Sequence, residues 1–423
     1  MNHKELLIDS FHAAVAAADP LNVVGQYLPP PPKGKTLVIG AGKAAASMAR
    51  AVELAWPKDA PLEGIVVTRY AHGTPTERIE VVEASHPVPD TAGETAAADI
   101  FARVASLTAD DRLIALVSGG GSSLLSLPAE GISMADLKAV TRDLLKSGAP
   151  ITEMNVVRKH LSRIQGGRLA AACQARVTTL IVSDVTGDDP SAIASGPTCP
   201  DASTYADAVA ILQRFGVTPP ASIAAHLQAG IDGSIDETPK PGDARFAKVD
   251  NIVIATAHKS LQTAAEFFRA QNITPVVLGD TVTGEASEVA KVYAAMVREI
   301  RGYNQPFRAP VALISGGECT VTVRGNGRGG RCVEFLASLA VELDGMPGVH
   351  ALAADTDGID GTEDNAGALL GPDTKARAEA LGLNPRQMLA NNDGYSYFAA
   401  LDDLIITGPT LTNVNDYRVI LVL

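Results

Sequence analysis

Residues 113–123 read Leu-Ile-Ala-Leu-Val-Ser-Gly-Gly-Gly-Ser-Ser, and no other stretch restricts the fold as strongly. Five apolar residues, Leu113 to Val117, suit a short buried strand and are too few for a helix. The run stops at Ser118, Gly119, Gly120, Gly121 and Ser122, and the polar residues after it open a helix. Three successive glycines let the backbone turn left-handed and come close to a ligand. Their N–H groups can then converge into one concavity at a helix N-terminus, where the dipole is positive. That chemistry suits a phosphate or a carboxylate. A single Gly-Gly would be read as a flexible turn; the longer Ser-Gly-Gly-Gly-Ser-Ser favours the anion site.

The rest of the chain alternates in the same way. Thr36–Ile39, Gly64–Thr68, Ile79–Glu83 and Val177–Ser183 read as strands, with amphipathic helices between them. One longer helix is read over 152–173, and Asp90 and Ser133 read as helix caps. Strands separated by helices of ten or more residues mean βαβ units. At 423 residues the chain exceeds one ordinary core, so two domains are expected. The expected division is 1–235, a Pro-, Gly- and charge-rich linker at 236–248, and 249–423. The fold class is therefore α/β, with two Rossmann-like domains, mostly parallel sheets and an active site in the cleft between them. The second half repeats the strand-to-glycine device at Ser315-Gly316-Gly317-Glu318.

Composition excludes several partners. The net charge is −13 and no basic run is present, so neither nucleic acid nor an anionic membrane is an expected partner. The opening Met1-Asn-His-Lys-Glu lacks an apolar leader, and no run reaches the ~18 apolar residues of a membrane span. The four cysteines are scattered, without C-x-x-C spacing, which argues against zinc or a disulfide framework. A reducing cytoplasm is the expected compartment.

An acidic chain that binds an anion needs a few aimed cations. Gly40-Ala41-Gly42-Lys43-Ala44-Ala45 follows a strand and fits the dinucleotide pattern G-x-G-x-x-A. The next strand, however, ends in Thr68-Arg69 and not in the acid that would hold a ribose. Lys43 lies at the positive end of a helix, where a cation calls for an anion to compensate. Asn155, Arg158 and Lys159 begin a stretch holding four cations, running to Arg168. Asp184, Asp188 and Asp189 follow a strand end and could hold Mg²⁺, or could serve as Asx turns. Arg328 and Arg331 lie among four glycines before a helix and read as an anion clamp. Asp355-Thr-Asp357-Gly-Ile-Asp360 has its glycine out of place for an EF-hand and reads as a polar turn.

Together these motifs resemble the glycerate 2-kinase family (class II, the MOFRL family). The resemblance rests on Gly40-Ala-Gly-Lys43, Ser118-Gly-Gly-Gly-Ser122, Asn155-x-x-Arg158-Lys159-His160 and Ser183-Asp184-Val-x-Gly-Asp-Asp-Pro. It continues in Gly327-Arg328-Gly-Gly-Arg331, Asp355-x-Asp357-Gly-x-Asp360-Gly and Thr407-Gly-Pro-Thr410-x-Thr412-Asn413-Val-Asn415-Asp416. It implies transfer of phosphate from ATP, with Mg²⁺, to the 2-hydroxyl of D-glycerate. It also implies a catalytic lysine at Lys43 and a catalytic arginine at Arg331. Some family members carry the label hydroxypyruvate reductase, and a homodimer is compatible with the sequence. Two departures stand out: Cys332-Val333 replaces the family's Asn-Gln, and Gln165 replaces the lysine before Gly166-Gly167.

Overall fold

A computed structural model describes residues 2–423. It divides into two compact units, one of residues 20–254 and one of residues 2–19 with 255–423.

The first unit holds a six-stranded sheet. Its strands are β1 (Thr36–Ala41), β2 (Leu62–Arg69), β3 (Ile79–Ala84), β4 (Arg112–Val117), β5 (Arg176–Val182) and β6 (Val249–Ala255), in the order β3-β2-β1-β4-β5-β6. Pairing is parallel from β3 through β5. β1 and β4 are buried almost throughout, as strands covered by helices on both faces must be. Asp90 and Ser133 cap their helices as expected, accepting from Gly93 N at 3.0 Å and Asp136 N at 3.1 Å. The helix expected over 152–173 breaks. It ends at His160, the chain turns through left-handed Gly166 and Gly167, and a new helix runs Arg168–Ala172.

The second unit holds β7 (Thr274–Gly279), β8 (Val311–Ser315), β9 (Val349–Asp355), β10 (Gly367–Leu370), β11 (Leu404–Ile405) and β12 (Asp416–Val422), in the order β11-β10-β9-β12-β8-β7. Four strands run one way, but β10 and β12 are reversed, so only β7–β8 pairs in parallel. This corrects the expected pairing. The last strand of the chain enters the middle of the sheet between β8 and β9, and its residues are buried throughout.

The expected boundaries also shift. The helix His3–Ala16 belongs with residues 255–423, because Leu7, Phe11 and Ala14 pack in one core with Phe268, Tyr417 and Leu421. The 236–248 stretch is no free linker. Thr238 is buried and donates to Asp201 at 3.1 Å, and Asp201 N donates to Pro239 O at 2.8 Å. β6 then completes the first sheet and does not open the second domain. Among the described residues no helix is long and apolar enough to cross a membrane.

Phe11 has no exposed surface. Phe11→Ala should therefore cost about 3–5 kcal/mol. Peptide-resolved hydrogen exchange should show protection lost in β8, β9 and β12 and kept in β1 and β4.

Candidate active site

In the first unit the strand order reverses between β1 and β4, so their following crossovers leave in opposite directions. Open α/β sheets bind ligands at that point, beyond the strand C-termini. Both glycine motifs of this unit lie there. Lys43 N donates to Gly119 O at 2.8 Å, and Ala44 N donates to Ser118 Oγ at 3.1 Å. The N-cap residue of the helix Ala45–Ala55 that follows is Ala44, whose side chain has no capping group. Gly120 is left-handed, with φ 82°, and a Cβ there would meet the His86 ring at 3.0 Å and Lys43 Cγ at 3.7 Å. The sequence reading missed His86. Its signal was its place: Ser85-His86-Pro87 follows β3 directly.

A polar chain supports the triplet from below. Ser122 Oγ and Ser195 Oγ are 2.8 Å apart, Ser195 Oγ donates to Asn155 Oδ1 at 3.2 Å, and Arg158 Nη1 donates to the same oxygen at 3.4 Å. Ala194 and Ser195 both hold positive φ, 50° and 58°, a costly backbone state for non-glycine residues. Arg158 pairs with no carboxylate among the described residues, and burial pulls its pKa down. Gln165, at the position of the family's lysine, donates from Nε2 to Ser122 O at 2.9 Å. The amide thus props the triplet at a position where the family pattern has a lysine.

The other candidates of this unit have partners of their own. Lys159 is buried and its ammonium meets Asp201 Oδ1 at 3.3 Å, an ion pair within the protein. Asp189 accepts from Ser191 N and Oγ, both at 2.9 Å, so it closes an Asx turn. Asp188 sits in a left-handed turn at φ 53°. Asp184 stands half-buried beyond the end of β5. Among the described residues no three His, Cys, Asp or Glu side chains gather as a metal-holding group, so the expected aspartate trio is not assembled. A cavity of about 710 Å³ lies elsewhere in this unit, among Arg163, Arg168, Tyr205 and His226, and contains no nest residue.

In the second unit Ser315-Gly316-Gly317 also follows a strand, but no helix starts until Arg331. The loop is held through its carbonyls: Arg418 donates to Gly316 O at 3.0 Å and Gly317 O at 3.3 Å. The likeness to the Ser118 turn is therefore one of sequence. Asp416 lies between two arginines. It accepts from Arg331 Nε at 2.8 Å on Oδ1 and from Arg418 on Oδ2. Arg331 also donates to Asp355 Oδ2 at 2.6 Å and stands 3.4 Å from Glu318 Oε1. Burial pulls the Arg331 pKa down, but Asp416, Asp355 and Glu318 outweigh it and the net shift is upward. Arg328 pairs with Glu363 and stacks on the Tyr395 ring at 4.2 Å. Both arginines of the expected anion clamp are thus matched by the protein's own carboxylates. The helix start beside them is capped from afar. Asp360, fully buried, accepts from Cys332 N at 3.0 Å and Val333 N at 2.9 Å. Burial lifts its carboxyl to about 6 even against those two bonds. A Cβ at Gly330 would lie 2.2 Å from Asp360 Oδ1, so this approach needs glycine.

Comparison with known proteins agrees with this layout. A family model described as "Domain of unknown function (DUF4147)" matches residues 6–228, and the MOFRL family model matches residues 311–416. A Thermotoga maritima protein named D-glycerate 2-kinase is 37% identical over 415 residues, which span 98% of this chain and 97% of the relative. The crystal structure of glycerate kinase from Thermotoga maritima superposes with a TM-score of 0.89 at 36% identity, covering 99% of each chain. The chain belongs to the glycerate kinase family. An Agrobacterium vitis relative named "Putative hydroxypyruvate reductase" is 50% identical over 422 residues, 99% of this chain and 94% of that one. In this member of the family Cys332 and Val333 have no exposed surface, so the departure from Asn-Gln falls in the core of the second unit.

Asp416 is the charge shared by Arg331 and Arg418. Asp416→Asn should leave the buried Arg418 and the half-buried Arg331 guanidinium under-compensated and cost about 3–5 kcal/mol. Denaturant unfolding checks this, and Arg331→Lys at the half-buried partner should cost less.

Proposed function

We propose that the chain is an ATP-dependent glycerate 2-kinase, transferring the γ-phosphoryl group of MgATP to the 2-hydroxyl of D-glycerate. The products are 2-phosphoglycerate and ADP. One observation carries the reading: the Gly119–Gly121 nest and Lys43 share the reversal point of the first sheet, in a chain of the glycerate kinase family. Phosphoryl transfer consists mostly of positioning and of neutralising charge on the moving group. We assign the N–H groups of Gly119 and Gly120, with Gly40 and Gly42 shaping the loop, to the anionic oxygens; Gly121 N closes the turn on Ser118 O at 3.2 Å. Lys43 supplies the cation on the transfer path, and Arg158, set by Asn155 and Ser195, adds a second positive charge beside the nest. Mg²⁺ arrives with the nucleotide, whose phosphates supply most of its ligands. Asp184 fits as a single carboxylate contact, direct or through water. Arg331 is held in one orientation by its carboxylates and is the candidate on the second unit.

The name of the Agrobacterium relative and the G-x-G-x-x-A match favour a second reading, an NAD(P)H-dependent hydroxypyruvate reductase. Thr68 speaks against it. It is fully buried where the ribose-binding acid would stand, and its hydroxyl points to Lys43 O at 3.5 Å.

The assay is direct. Purified protein with MgATP and D-glycerate should release ADP, and ³¹P NMR should place the phosphate on C2. Phosphate on C3 would change the regiochemistry and keep the kinase. Oxidation of NADH or NADPH with hydroxypyruvate, without ADP release from glycerate, would overturn the proposal. Lys43→Ala should lower turnover by roughly 10²-fold or more, since a positioned cation contributes several kcal/mol to the transition state. Unfolding curves should stay unchanged, because Lys43 is half-buried on a loop.

A further inference from the structure

The proposed chemistry uses the C-terminal ends of the first sheet and leaves the opposite end unexplained. Arg112 and Arg176 begin β4 and β5 there and stand directly opposite each other in register. With Tyr27, Pro29 and Asp250 they line a groove of about 600 Å³. The Arg112 Nε is buried without a hydrogen-bond partner, and no carboxylate pairs with its guanidinium among the described residues. Burial and the charge of Arg176 both draw its pKa down. The carboxylate paired with Arg176, Asp250, is 3.8 Å away with both side chains mostly exposed, a contact worth little.

Like charges directly opposite on neighbouring strands are destabilising. This chain carries an excess of acids, with 48 Asp and Glu against 35 Lys and Arg. Yet here two cations face one loosely held carboxylate in a groove large enough for a small metabolite. A guanidinium is a planar fork of donors matched to carboxylate or phosphate oxygens. Two such forks side by side match a doubly charged oxyanion. The Pro29-Pro30 stretch fixes the backbone next to Tyr27, whose half-exposed ring forms an apolar wall.

We propose that this groove is a second anion site, binding a phosphoryl group through Arg112 and Arg176 with Tyr27 and Pro29 against whatever organic part it carries. Bound there, a phosphate relieves the arginine repulsion and stabilises the fold by mass action. The phosphoryl group could belong to inorganic phosphate or to a phosphate monoester.

Thermal unfolding of wild type and of Arg112→Gln/Arg176→Gln, titrated with inorganic phosphate or with glycerol 2-phosphate at constant ionic strength, tests this. The wild-type midpoint should rise with anion concentration, and the double variant should need at least tenfold more anion for the same rise. Without anion at low salt, Arg176→Gln alone should be at least as stable as wild type. A response to both anions assigns the site to phosphate itself; a response to the ester alone assigns it to a phosphorylated metabolite. Equal responses of wild type and double variant would overturn the site and place the effect at the Gly119–Gly121 nest. No wild-type response to either anion would overturn it as well. If Arg112→Gln does not fold, Arg176→Gln at its mostly exposed position carries the same comparison.

Discussion

The first unit depends on how closely the ends of β1 and β4 approach. A Cβ at Gly42 would lie 2.1 Å from Ser118 Oγ and 2.5 Å from Ser118 O, so only glycine fits. The space a side chain would fill is used for hydrogen bonds: the loop after β1 donates to Ser118 and Gly119 of the loop after β4. Two loops that would otherwise move separately become one surface. The reversal of strand order leaves that surface uncovered, because the following helices depart on opposite faces. Gly121 extends the same logic to a third element, since a Cβ there would lie 2.6 Å from Ala194 Cβ. The strained Ala194-Ser195 turn is held against the triplet and delivers a hydroxyl to Ser122.

The second unit is organised by charge. Asp416 and Arg418 are almost wholly buried on the central strand β12. Buried charges are tolerated when paired and hydrogen-bonded, and each of these is. Arg418 fixes the Gly316 and Gly317 carbonyls while Asp416 turns its other oxygen to Arg331. Asp355 and Glu318 complete the setting, so acids outnumber the guanidinium they surround. An arginine held from three sides has lost its rotamer freedom before any ligand arrives. A few polar residues at the head of one strand thereby fix both the loop after β8 and the first residue of the helix Arg331–Leu343.

Short-range features were legible in the residues. The Leu113–Val117 run, the glycines after it and the caps at Asp90 and Ser133 depend on neighbours a few positions away, and the structure keeps each. The tight turns at Lys43 and Ser118 were legible because glycine spacing after a strand is itself a backbone constraint. The setting of the second Ser-Gly-Gly was not legible, because its carbonyls are pinned by Arg418, a residue about a hundred positions away. The partners of Lys159, Arg328 and Arg331 were hidden for the same reason. A cation's sequence neighbours do not tell which carboxylate the fold will bring to it, and Asp201, Glu363 and Asp416 arrive from distant segments.

By itself, then, the sequence determined an α/β chain with a glycine-rich turn after its fourth strand, since hydrophobic period and glycine torsions act locally. Tertiary structure alone decided that the N-terminal helix joins the C-terminal unit, that β6 closes the first sheet, and that β12 runs reversed through the second. It also decided which charges are matched within the protein and which, like Arg158 and Arg112, pair with no carboxylate among the described residues. Strand pairing and ion pairing are set by which distant surfaces bury one another. Local propensity carries no record of that choice, because the same strand can pair in either direction and the same arginine can meet any acid.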